Sequence, residues 1–220
     1  MKLIIGNKNY SSWSLRGWLA LKAFDIPFEE IKLGLFSDEF RTELAKYSPV
    51  GKVPVLVDGD LSVWDSLSIC EYINENYLDG KGWPADKNNR AVARSLVAEM
   101  HSGFFGIRNE MPMNCRAKRH VELSDQAKQE VANIDRIWSE QRLNNVQNGP
   151  YLFGEFSLAD AFFAPVIFRF VTYGVALSDT ARDYHQTMLA HPAMRAWLED
   201  ALKETDIVEA DEAGEPILND

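Results

Sequence analysis

Val50-Gly51-Lys52-Val53-Pro54-Val55-Leu56-Val57 decides the fold of this chain. A proline stands directly before a β-branched run. Proline cannot donate to a sheet ladder, so Pro54 marks the first residue of a strand or a tight turn. X–Pro is also the one bond that takes the cis form at modest cost. A cis bond at Val53–Pro54 turns the N–H and C=O of Val53 outward, where an extended peptide can pair with them as an added strand. Alone, the stretch reads as a loop proline opening a strand. The residues on either side carry any case for function.

Upstream, Leu3-Ile4-Ile5 reads as a short buried strand and Asn7 to Ser12 as a polar loop. Leu15, Trp18 and Leu19 recur at helical spacing, which predicts a helix from about Ser14 to Phe24. Pro27 interrupts, and Phe28 to Leu33 alternates like a strand. Ser37 is placed to cap a helix carrying Phe40, Leu44 and Tyr47 on one face. Downstream, Val55-Leu56-Val57 and Leu61-Ser62-Val63-Trp64 flank Asp58-Gly59-Asp60, a hairpin signal. Asp65-Ser66 then opens a helix with Leu67, Cys70, Ile73 and Tyr77 along one stripe. The order βαβαββα over residues 1–78 predicts a thioredoxin-like α/β domain with a mixed sheet.

Residues 79–87, rich in glycine and proline at their start, read as a linker. Strand signals then vanish, so residues 88–220 form an all-helical domain with an acidic tail. One long helix is predicted over Asn88 to Met111, a basic loop over Met113 to His120 whose Arg116, Lys118 and Arg119 are expected to be solvated, and a helix over Leu123 to Leu143. Ser157-Leu158-Ala159-Asp160 has capping-box form, with Asp replacing the usual Glu. The apolar helix behind it, Ala161 to Val171, must be central. Two further helices fit Thr180 to Ala190 and Pro192 to Thr205. Asp206 to Asp220 holds six acids and no base and reads as a solvated or draped tail.

The 220 residues hold 23 basic and 33 acidic side chains, a net charge of −10. That argues against nucleic acid and anionic membranes as partners. The N-terminal apolar run is too short for a signal peptide, and no charge-free apolar segment is long enough to span a bilayer. Cys70 and Cys115 match neither a C-x-x-C nor a zinc spacing, so a cytoplasmic protein with reduced thiols is expected. His120, His185 and His191 have no metal-ligand spacing, and no metal is expected.

An N-terminal thioredoxin-like module joined to an all-helical domain of this length resembles the cytosolic glutathione transferases, through about Thr205. Four motifs carry the resemblance, in order. Asn9-Tyr10-Ser11-Ser12-Trp13-Ser14-Leu15-Arg16 looks like the serine-type first loop of the zeta and theta-like classes. Val53-Pro54 is similar to the family's cis-proline. Asp65-Ser66 stands where the family usually has Glu-Ser or Gln-Ser. Ser157-x-x-Asp160 is similar to the capping box of the second domain's core helix.

The resemblance implies an enzyme that favours the thiolate of glutathione for attack on a small, mostly apolar electrophile. Free thiols have a pKa of about 8.5, and lowering it by about two units takes roughly 3 kcal/mol. Hydrogen bonds to sulfur and a helix N-terminus supply such stabilisation. Ser11 and Ser12 are the candidates: a zeta-like alignment favours Ser11, and counting back from Arg16 favours Ser12. Ser14 reads as a capping residue only, and Arg16 as a structural ion-pair partner. Trp13, where zeta sequences have cysteine, stands beside the site.

Val53 and Pro54 would present backbone to the cysteinyl part of glutathione. Ser66 would bind the γ-glutamyl carboxylate, Asp65 would face the γ-glutamyl ammonium, and Lys52 would reach the glycyl carboxylate. His101, Phe104, Phe105 and Arg108 are the candidate second-substrate pocket, suited to an apolar electrophile with an anionic group. Core packing is the plainer reading of Phe104, and a surface ion pair that of Arg108. A glutathione-dependent cis–trans isomerase and a non-catalytic glutathione-binding or adaptor protein are the alternatives. A homodimer is expected from the family.

Overall fold

The computed structural model describes residues 1–217. The N-terminal part holds a four-stranded mixed sheet. Strand β1 (Lys2–Ile5) is central, parallel to β2 (Glu29–Lys32) and antiparallel to β3 (Val55–Asp58), which pairs with β4 (Leu61–Trp64). Helices α1 (Ser12–Lys22), α2 (Asp38–Leu44) and α3 (Ser66–Asn76) accompany it. The period of two along β1 sorts its side chains. Leu3 and Ile5 enter the main core with Leu15, Leu19, Leu56 and Ile69. Ile4 points to the opposite face, against Val55 and Leu44.

The local signals act as their chemistry dictates. Ser37 accepts the Phe40 N–H at 3.0 Å and starts α2. Asp58 pairs with Leu61 across a two-residue turn in which Gly59 has φ +59°, a conformation that suits glycine. The Val53–Pro54 peptide bond is cis.

The C-terminal part is built from α4 (Lys87–Ser102), α5 (Phe105–Glu110), α6 (Asp125–Asn145), α7 (Leu158–Thr172), α8 (Asp179–Ala190) and α9 (Pro192–Ala201). Helix α7 is buried at every residue but Val171 and packs on α1, so one core runs through both parts. Among the described residues no helix is long and apolar enough to cross a membrane.

Two expectations are corrected. The helix predicted over Asn88 to Met111 is broken: Gly103 is extended and Phe104 takes the left-handed conformation (φ +58°, ψ +44°). Arg108 turns back to donate to the carbonyls of Gly103 (2.8 Å) and Met100, which replaces the lost helical bonds. Gly106 then lets α5 press on α6, since a Cβ there would meet the Ala127 backbone at 3.0 Å.

The basic loop is also not solvated. Arg119 donates to the Glu212 carboxylate at 2.8 Å and to the carbonyls of Glu212, Ala213 and Gly214. Arg119 and His120 (β5) pair with Glu215 and Pro216 (β6). The acidic tail, through Ile217, is draped over the molecule because this loop supplies its counter-charges; residues 218–220 lie outside the described residues.

The capping box of α7 is complete. Asp160 is fully buried and accepts from the N–H groups of Leu152 (3.2 Å) and Ser157 (2.9 Å), the Ser157 hydroxyl (3.0 Å) and the Tyr184 hydroxyl (3.0 Å). Burial still pushes its pKa up to about 6. Replacing Asp160 by Ala strands several buried donors, each worth about 1–3 kcal/mol. Urea denaturation of Asp160→Ala is expected to show a loss of about 3 kcal/mol or more, with Asp160→Asn between it and the parent.

Candidate functional site

The loop before α1 folds on itself: the N–H of Ser11 donates to Asn7 O at 2.8 Å, and that of Ser12 to Tyr10 O at 2.9 Å. Ser11 occupies the N-cap position of α1 without a side-chain cap, and Ser12 is the first helical residue. The Ser11 hydroxyl meets that of Ser14 at 2.7 Å, and Ser14 Oγ accepts the Gly6 N–H at 3.1 Å. Ser14, expected only to cap, thus belongs to the first loop's hydroxyl chain. Its i+3 spacing from Ser11 was the available signal.

Val53 stands just outside the β1–β3 ladder. Among the described residues no hydrogen bond takes up its N–H or C=O. Opposite it, α3 begins. Asp65 has φ +72°, uncommon for a residue with a side chain. Its Oδ1 accepts the N–H groups of Leu67 (2.9 Å) and Ser68 (3.3 Å), and its Oδ2 pairs with His101 Nε2 at 3.2 Å. The next residue, Ser66, is buried, yet its hydroxyl finds no partner. A buried hydroxyl without a partner at a helix N-terminus can donate to an anion's oxygen.

Two cavities flank Trp13. One, of about 440 Å³, is lined by Val53, Pro54, Trp64, Asp65, Ser66 and His101. The other, of about 380 Å³, is lined by Ser11, Ser12, Phe36, Phe40, Arg108 and Arg169, among others. Trp13, Lys52 and Val53 border both. The structure therefore joins all the first-loop, proline-loop and α3 candidates. It divides the residues expected from α4 and α5. His101 faces the first cavity, with its ring edge-on to Trp13 at 5.3 Å, and Arg108 faces the second. Phe104 is buried in the core, and Phe105 is 58% exposed and borders neither cavity.

Arg16 makes no ion pair among the described residues, contrary to expectation. It is fully buried, donates to Phe162 O at 3.2 Å, and lies 4.4 Å from the Trp13 ring and 5.0 Å from that of Phe162. Arg108 covers Trp13 at 4.7 Å. Burial pulls the pKa of Arg16 well down and that of Arg108 down, and that of Arg169 to about 10. Burial also lowers that of His101. Arg169 was missed because it sits in the most apolar stretch of the chain.

The fold and site define a class: a thioredoxin-like module whose proline loop and α3 N-terminus face a helical bundle across a cation-lined cleft. Family models for the N-terminal and C-terminal domains of glutathione S-transferases match residues 10–76 and 121–200. A glutathione S-transferase of Dianthus caryophyllus is 31% identical over 183 residues, 81% of each chain. A probable maleylacetoacetate isomerase of Caenorhabditis elegans is 29% identical over 189 residues, 84% of this chain and 86% of that one. A glutathione transferase homologue from Burkholderia, solved with bound glutathione, superposes with a TM-score of 0.68 at 24% identity, covering 91% of this chain and 97% of that one. The chain belongs to the glutathione S-transferase family.

The Asp65 turn makes a graded stability test. Asp65→Ala loses the helix cap and places alanine at positive φ, together about 2 kcal/mol. Asp65→Asn keeps an acceptor and tolerates the conformation, so its loss is expected below about 1 kcal/mol. Chemical denaturation of the two variants gives the comparison.

Proposed function

We propose that the chain is a glutathione transferase that holds glutathione in the cavity between Val53 and Ser66 and delivers its thiolate to an electrophile in the cavity of Arg108. The observation that carries this reading is the buried, unpartnered Ser66 hydroxyl facing the free backbone of Val53. Ser66 and the α3 N-terminus take the γ-glutamyl carboxylate. Val53 pairs with the cysteinyl backbone, which Pro54 shapes, and Lys52 takes the glycyl carboxylate. Asp65 and His101 form the wall around the γ-glutamyl ammonium. Trp13 separates the two substrates.

Ser11 donates to the thiolate in this proposal. In the structure Ser11 Oγ donates to Ser14 Oγ, which also accepts the Gly6 N–H, and rotation of the Ser11 hydroxyl releases that hydrogen. The Ser11 hydrogen then turns to sulfur. Ser12 shares the cavity and is the competing donor. The second substrate sets its apolar part against Phe36 and Phe40 and an anionic group toward Arg108 and Arg169. Paired guanidinium groups in one cavity also favour a second reading, a glutathione-dependent isomerisation of an unsaturated acid, in which glutathione adds and leaves. Recovery of free glutathione after turnover distinguishes it from net transfer.

We further take the chain as two domains, 1–78 and 88–220, and as a homodimer, for which β4, the residue after α3 and α4 expose Leu61, Trp64, Tyr77 and Val92.

Calorimetric titration with glutathione and S-methylglutathione tests the site. Saturable binding of both is expected, weakened about tenfold in Ser66→Ala with an unchanged urea midpoint, because that hydroxyl has no partner to lose. No binding at millimolar concentration would sink the enzyme reading and leave the adaptor reading in front. Ultraviolet titration of the bound thiolate separates the serines. Ser11→Ala is expected to return the thiol pKa at least about one unit toward its free value of about 8.5, and Ser12→Ala to move it less. The reverse order assigns the donor to Ser12.

A further inference from the structure

The draped tail brings one more charge to the cavity of Arg108 and Arg169. Glu212 fastens the tail: its carboxylate accepts from the Tyr10 hydroxyl (2.6 Å), Asn114 Nδ2 (2.9 Å) and Arg119. The preceding residue, Asp211, ends a short turn at Glu209–Asp211 and borders the cavity. No hydrogen bond or ion pair occupies its carboxylate among the described residues, so the fold does not require it there. Burial, with the neighbouring Glu212 carboxylate, raises its pKa above the usual carboxylate range, and Arg169 opposes that rise.

The charged side chains bordering the cavity are Lys52, Arg108, Arg169 and Asp211. With Lys52 assigned to the glycyl carboxylate, two cations face one internal anion. We propose that Asp211 is a specificity-determining residue, which limits the second substrate to a single anionic group at Arg108 and Arg169. This rests on the placement of the second substrate argued above. A monoanion balances the remaining positive charge. A second carboxylate on the same substrate meets Asp211, a like charge in a partly desolvated space, and binds less well. The tail, in this view, is a charge filter laid along the electrophile site.

Stable conjugates test it without turnover. The full-length protein is titrated with S-benzylglutathione, S-(4-carboxybenzyl)glutathione and S-(3,4-dicarboxybenzyl)glutathione. The parent is expected to bind the monocarboxylate most tightly and the dicarboxylate about tenfold less tightly. In Asp211→Asn, and in Asp211→Ala, the dicarboxylate is expected to match or exceed the monocarboxylate. An unchanged ratio of the two in both variants overturns the proposal, as does equal binding of all three by the parent. Failure of the parent to bind S-benzylglutathione overturns the glutathione site itself, and this inference with it.

Discussion

The carboxylate of Glu204 is the contact on which the site depends. It is nearly buried and accepts the N–H groups of Lys8 and Asn9, both at 2.9 Å, and the Lys32 ammonium at 2.8 Å. Those two N–H groups belong to the loop that feeds α1, and they are themselves buried. Without an acceptor each would cost about 1–3 kcal/mol. A buried carboxylate is tolerated because three donors surround it. The loop ending in Ser11 therefore takes its shape from a residue just past α9, almost two hundred positions away. Trp197 Nε1 bonds Lys8 O at 2.9 Å and Asn9 Nδ2 bonds Asn114 Oδ1 at 2.9 Å, which fix the same loop from two further sides.

What could be read without coordinates follows from range. Ser37, the Gly59 turn, Pro54 and the Ser157–Asp160 box act within a few residues, and each is found doing what its chemistry predicts. The break at Gly103 was hidden because Met100, Phe104 and Arg108 keep helical spacing across it. The true signal was a single glycine, and the replacement bonds come from an arginine five residues on. Asp65 was readable as a cap, but its partner His101 lies on another helix. The draping of the tail was ambiguous because a solvated acidic run and one held by arginines have the same composition. Only the fold brings Arg116 and Arg119 against it.

Arg16 illustrates a further limit. An arginine near the start of a helix is ordinarily taken as an ion-pair partner, and Trp13 at i−3 was in view. Its other support, Phe162, comes from α7. Once buried between two rings with a single carbonyl acceptor, the guanidinium retains an unpartnered nitrogen. Cation–π contacts contribute about 2 kcal/mol each when desolvated. Removing an ion from water costs several kcal/mol. The rings alone do not offset that loss.

The same comparison applies to the three arginines together. A protein with ten more acids than bases has carboxylates to spare, yet none forms an ion pair with Arg16, Arg108 or Arg169 among the described residues. Burial lowers the pKa of all three, which marks them as costly to the folded state. Selection for stability alone would pair these groups or replace them with apolar side chains of similar volume. The unpaired persistence of Arg108 and Arg169 in the cavity that Trp13 borders is explained if the missing negative charge arrives with a ligand. Glutathione brings carboxylates and, once activated, a thiolate. The positive potential around Trp13 then stabilises charge that exists only when the site is filled, and the cost borne by the empty protein becomes binding energy for an anion.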